Sequence, residues 1–185
     1  MSNSIRVWTK QHKDILRDLD MQGRYVVKRE YIVQKMEDHS NLYLDVYNWF
    51  YREAAKRVPP PGDVKYPVWV SLTEAGKIEN SPGNVELELL IPEHQLLTLD
   101  IDKWGKIVNY MYIPEHAEDE AAHEAMLSRY GITDYTAYTT AFYPNVKQKI
   151  IRSWSRLFDE NITLSEVRVG TIWEIKAEWI QQISE

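Results

Sequence analysis

The sequence contains no cysteine. That excludes disulfides, a thiolate nucleophile and any zinc site built on thiolates. It contains no apolar run approaching the roughly 20 residues that span a bilayer. Its start, MSNSIRVWTK, lacks the apolar stretch of a secretion signal. An excess of cations is missing too. There are 22 Lys and Arg against 28 Asp and Glu, for a net charge of -6. A broad phosphate-neutralising surface, and hence nucleic acid as a partner, is therefore not expected. A small anion pocket stays open. Glycine is sparse at 7 residues. No P-loop, dinucleotide fingerprint or G-x-S-x-G elbow occurs, and Ser/His/Asp catalysis has no support. Repeats and low-complexity tracts are absent. What remains is a soluble cytoplasmic protein with a small molecule or another protein as its partner, and no membrane.

What is present is a chain of 185 residues, 44% hydrophobic and 27% charged. That is enough for one domain, residues 1–185, with a sizeable core. Seven Trp and twelve Tyr stand out. They build either a bulky core with aromatic rims or an aromatic-lined cleft for a planar ligand.

The organising stretch is Asn84 to Tyr112. Val85, Leu87, Leu89 and Ile91 alternate with Glu86, Glu88 and Leu90, a strand with one buried row. Leu96, Leu97 and Leu99 resume a strand after Pro92. Asp102 is the expected cap of a helix with Trp104, Ile107, Val108 and Met111 on one face. Upstream, Ile5 to Trp8 reads as a short strand, Gln11 to Met21 as a helix stopped by Gly23, and Tyr25 to Val27 as a second strand. Lys28 to His39 is a short helix or a loop. Ser40 to Val58 is the clearest helix, capped by Ser40, with Tyr43, Val46, Tyr47, Phe50 and Ala54 inward and Glu53 paired with Arg57. Pro59, Pro60 and Pro61 end it. Tyr66 to Leu72 is a strand. Downstream come an acidic helix from Glu115 to Arg129 and a helix capped by Asn145, with Val146, Ile150, Trp154 and Leu157 inward. A final strand runs from Glu166 to about Lys176. The expected class is α+β: a mixed or mainly antiparallel sheet with about five helices packed on it.

Three constellations bear on chemistry. His116, Glu120 and His123 share one helix face, a possible metal set, but their acidic surroundings read as a solvated surface and no metal site is expected. Arg52, Lys56 and Arg57 complement the dipole at a helix end, or hold a phosphate. Glu174, between Trp173 and Ile175, is an acid on an otherwise apolar strand. It faces water beside Arg168 and Lys176, or it serves a cleft.

Several phrases in order resemble a bacterial family catalogued as a domain of unknown function, family 3841. They are VWTKQ (7–11), VYNWF (46–50), PPPG (59–62), KYPVWVSL (65–72), LLTLDIDKWGKIVN (96–109), IIRSWSRLFD (150–159) and TIWEIKAEWI (171–180). A looser likeness lies in the layout: an early strand, a helix ending in glycine, a long helix, later strands and a glutamate on the last. It is similar to ADP-ribosyltransferase-like domains. That likeness implies NAD as ligand, Arg6 or Thr9 on the early strand and Glu174 as the late acid, with Tyr47 or Trp49 stacking. Arg52 is a further ligand-binding candidate. The sequence departs from that pattern in having no clear R-S-E or H-Y-E triad. The other reading is a non-catalytic regulatory module that binds a small ligand or a protein through an aromatic-lined cleft.

Overall fold

β1 (Ser4–His12) pairs antiparallel with β4 (Asn84–Pro92) over its whole length, from Ser4 opposite Pro92 to His12 opposite Asn84. The period-two pattern is obeyed: Val85, Leu87, Leu89 and Ile91 are at most 1% exposed, with Val7 beside them. Burying each contributes about 2 kcal/mol. β1 is longer than its apolar residues suggest, because Gln11 and His12 pair with Val85 and Asn84. The helix expected from Gln11 accordingly begins later, as α1 (Ile15–Gln22), and Gly23 ends it at φ 70°, in the left-handed region.

The computed structural model describes residues 3–36, 40–79 and 81–185. They fall into two compact units, residues 1–98 with 168–185, and residues 99–167. The architecture is α+β. In the first unit the chain continues through β2 (Arg24–Tyr25), α2 (Arg29–Met36), α3 (Ser40–Ala54) and β3 (Val68–Ser71). The stretch 37–39 lies outside the described residues, as does the side chain of Ser40 and its expected capping role. α3 stops at Ala54, before the prolines. Lys56, not Arg57, takes the Glu53 carboxylate, and the Arg57 guanidinium donates to the Glu53 carbonyl at 2.8 Å.

After β4 come β5 (Leu97–Asp100), β6 (Arg168–Ile172), β7 (Ile175–Lys176) and β8 (Ile180–Ser184). The sheet order is β5-β6-β3-β1-β4-β8, with β5 contributing Leu97 and Thr98 to this unit. The β1–β3, β1–β4, β3–β6 and β4–β8 pairings are antiparallel. Val68 and Val70 join the core of Val7, Leu87, Leu89 and Ile172, with Ile15 and Leu19 of α1. Trp69 points the other way, to Phe50 and Tyr47 of α3.

The strand expected to run unbroken to Lys176 is broken at Trp173–Glu174. The Trp173 indole N–H donates to the Val58 carbonyl at 2.6 Å, and β7 then leaves the large sheet to pair with β2. Gly170 is set by close approach. A Cβ there would lie 2.6 Å from Leu96, 2.7 Å from Val70 and 2.9 Å from Leu72. Gly170→Val is expected to destabilise by about 3 kcal/mol, since Val70 on the neighbouring strand has little freedom to yield. Urea denaturation checks this, and an unchanged midpoint would contradict the packing described.

The second unit holds α4 (Ile101–Val108), α5 (Ala117–Tyr130), α6 (Asp134–Thr139) and α7 (Pro144–Ser153). Val146, Ile150, Trp154 and Leu157 are at most 5% exposed, as their spacing implies. Asn145 does not cap α7; it lies inside the first turn behind Pro144, and Tyr143 holds the cap position. Asp102 does not cap α4 either. Asp100 does, accepting from the Asp102 and Lys103 amides at 2.9 and 3.2 Å. α4 ends at Val108 and buries Lys103 and Ile107, while Met111 is 40% exposed. Lys103 is tolerated inside because its ammonium donates to the carbonyls of Arg156 and Asp159 at 2.9 and 2.7 Å.

Candidate functional site

The break after Trp173 gives Glu174 its setting. Trp173 is held from the α3 side by Phe50 and Tyr51, with ring centroids 6.4 and 5.9 Å away. Glu174 follows it and is only 8% exposed. β2 pairs with β7 so that Arg24 stands opposite Lys176. Gly23 at the end of α1 makes that possible: its carbonyl accepts from the Ala177 amide at 2.9 Å, extending the ribbon. Arg24 Nη1 thereby donates to Glu174 Oε2 at 3.1 Å, and Lys176 Nζ lies 3.7 Å from Oε1. The other arm of the guanidinium, Nη2, binds the carboxylate of Asp63. The Asp63 hydrogen bond raises the Arg24 pKa most; burial opposes it, and Glu174 adds to the rise. Arg24 thus bridges two carboxylates.

Asp63 sits in the turn after the prolines, closed by the Val64 amide donating to the Pro61 carbonyl at 3.0 Å. It also forms part of the wall of a cleft of about 450 Å³. Lys28 enters that wall from the segment after β2, Arg29 from the start of α2, Leu44 and Asn48 from α3, and Lys65 and Tyr66 from the approach to β3. The volume suits a small-molecule ligand. Three cations against Asp63 and Glu30 make the wall favourable to an anion, although Lys28 is already 3.2 Å from Asp18. Glu174 does not line this cleft; it is linked to the cleft wall through Arg24 and Asp63.

The sequence-expected residues are divided by this geometry. Arg6 and Thr9 are not brought to Glu174. β1 is separated from β6 by β3, about 10 Å in sheet spacing. Arg6 pairs with Glu88 at 2.9 Å, and the Thr9 hydroxyl donates to the Trp69 carbonyl at 2.8 Å. Tyr47 meets Thr9 indirectly, since the Tyr47 hydroxyl accepts from the Trp69 indole at 3.2 Å. Burial pushes the Tyr47 phenol well above its ordinary pKa. Trp49 is 8% exposed, an interior ring, and Arg52 is exposed on the last turn of α3. Glu174 alone among these six lies in the charged cluster. Arg24 and Asp63 carry no sequence signal but position, just after a helix-stopping glycine and just after a proline run, while Lys65 and Tyr66 open the phrase KYPVWVSL without marking a site.

His116, Glu120 and His123 go to three different partners. His116 caps α5, accepting from the Asp119 amide, Glu120 lies 3.4 Å from Lys106, and His123 Nε2 lies 2.6 Å from Asp134. Among the described residues no group of three His, Asp or Glu side chains is placed to hold a metal. Among them, too, no helix is long and apolar enough to cross a membrane.

No curated protein and no solved structure matches this chain. A family model does, over residues 6–181, from the exposed Arg6 on β1 to β8 and across both units, so the chain belongs to the family described as Domain of unknown function (DUF3841).

Proposed function

We propose that this chain binds a dinucleotide of the NAD class in the cleft and cleaves its nicotinamide–ribose bond, as ADP-ribosyltransferase-like proteins do. The observation that carries the reading is the row of charges from the cleft wall inward: Asp63, Arg24, Glu174 and Lys176. Lys28, Arg29 and Lys65 supply charge for the diphosphate. Arg24 and Lys176 stand beside the two oxygens of the Glu174 carboxylate, at 3.1 and 3.7 Å. An ionised carboxylate stabilises the positive charge that develops on the ribose as the C1′–N bond breaks. The bonding pair leaves with nicotinamide. Water or an acceptor nucleophile adds its oxygen or nitrogen to C1′ and loses a proton.

The test is direct. Purified protein is incubated with NAD, with and without candidate protein acceptors, and free nicotinamide is measured. Release well above the protein-free control is expected, with NAD raising the melting temperature. Intact NAD and no thermal shift would reject the reading. A second reading is favoured by one specific observation, that both Glu174 oxygens already face a cation. In it the cleft belongs to a non-catalytic binding module. Binding of NAD or ADP-ribose with no nicotinamide release would select it.

A further inference from the structure

We infer that Asp63 is a resident carboxylate that occupies the anion site of Arg24, and that a phosphate group of the cleft's ligand takes its place. The inference rests on the nucleotide reading of the cleft. Asp63 belongs at once to the cleft wall and to Arg24. Asp63 links the cleft wall to Arg24, and Arg24 links it to Glu174. Neither Arg24 nor the buried Glu174 is among the residues that line the cleft. The exchange of one anion for another on Arg24 opens that path without leaving a cation unpaired.

The parts suit an exchange. The Asp63 side chain is 57% exposed and Arg24 35%, so the pair is a weak, solvent-screened one. A diphosphate offers the same guanidinium two or more oxygens and more negative charge. Asp63 stands on a turn directly after Gly62, behind three prolines that fix the approach. The carboxylate can rotate into solvent while the turn holds. By contrast Glu174, 8% exposed and also near Lys176, has no such exit. Of the two carboxylates on Arg24, only Asp63 is placed to leave.

The experiment is calorimetric titration of inorganic pyrophosphate, and separately of NAD, into the wild type, Asp63→Asn, Asp63→Glu and the double variant Arg24→Gln/Asp63→Asn. Circular dichroism verifies the fold of each. Asp63→Asn is expected to bind pyrophosphate about fivefold more tightly than the wild type at low salt, the scale of releasing one exposed ion pair. Asp63→Glu keeps the competitor and stays near the wild type. Adding Arg24→Gln removes the gain. The inference is overturned if Asp63→Asn binds no more tightly, if the gain survives loss of Arg24, or if no variant binds pyrophosphate. A pyrophosphate gain with no NAD binding keeps the resident carboxylate and rejects NAD as the ligand, so the two failures are told apart.

Discussion

Asp100→Ala is expected to lower the free energy of unfolding by about 3 kcal/mol and the melting temperature by roughly 9 °C. One oxygen of this carboxylate caps α4 through the amides of Asp102 and Lys103. The other accepts from the amides of Leu164 and Ser165 at 2.8 and 2.9 Å. A single side chain therefore ties the start of a helix to a loop 64 residues further along. Asp100 is 4% exposed, and its loss leaves four amide groups without their acceptor. Burial alone would raise its pKa. The four backbone donors outweigh burial and hold it below the ordinary value of 3.8. A lowered native pKa means that the stabilisation is complete above the unfolded value and is lost as pH falls through the native one. The gap between wild type and variant should thus be full at pH 6 and narrow below about pH 3.8. Urea denaturation at both pH values reads it. A gap under 1 kcal/mol at pH 6, or one that does not close in acid, would contradict this account of the carboxylate.

The regular elements were legible where local period decides them. The row Val85, Leu87, Leu89 and Ile91, the face Val146, Ile150, Trp154 and Leu157, and the glycine stop at Gly23 follow from spacing and backbone freedom alone. Legibility failed wherever a distant partner decides. Asp100 and Asp102 are both good caps by type, and only the amides at 164 and 165 select Asp100. The last strand reads as continuous because nothing local marks Trp173 as tethered to Val58, 115 residues earlier. Charged partners were the least legible. Glu174 was visible as an acid in apolar company, but Arg24 is 150 positions away and Asp63 lies on a turn that reads as a helix stop. The likeness to ADP-ribosyltransferase-like domains implies Arg6 or Thr9 on the early strand. The sheet order puts β3 between that strand and β6, and a different cation reaches Glu174.

Glu174→Gln is expected to cut the rate of nicotinamide release at least about 100-fold, the cost of removing one preorganised group from a developing charge. The amide is nearly isosteric and its oxygen still accepts from Arg24, so the link from Arg24 to the β6–β7 step is kept and the melting temperature should move little. What changes is charge. Asp63, Arg24, Glu174 and Lys176 sum to zero as they stand. Exchanging Asp63 for a diphosphate makes the cluster net negative beside the ribose, where a cation is about to form. Glutamine removes the part of that charge that is fixed in the protein. With NAD in the proposed cleft, its binding rests on the cleft cations and should survive, so the loss falls on kcat with KM little changed. That split separates a catalytic carboxylate from a structural one. Were Glu174 only an anchor for Arg24, Glu174→Gln would retain turnover, and Glu174→Ala would lose stability and turnover together. Single-turnover release of nicotinamide, measured alongside NAD affinity for both variants, decides between the two roles.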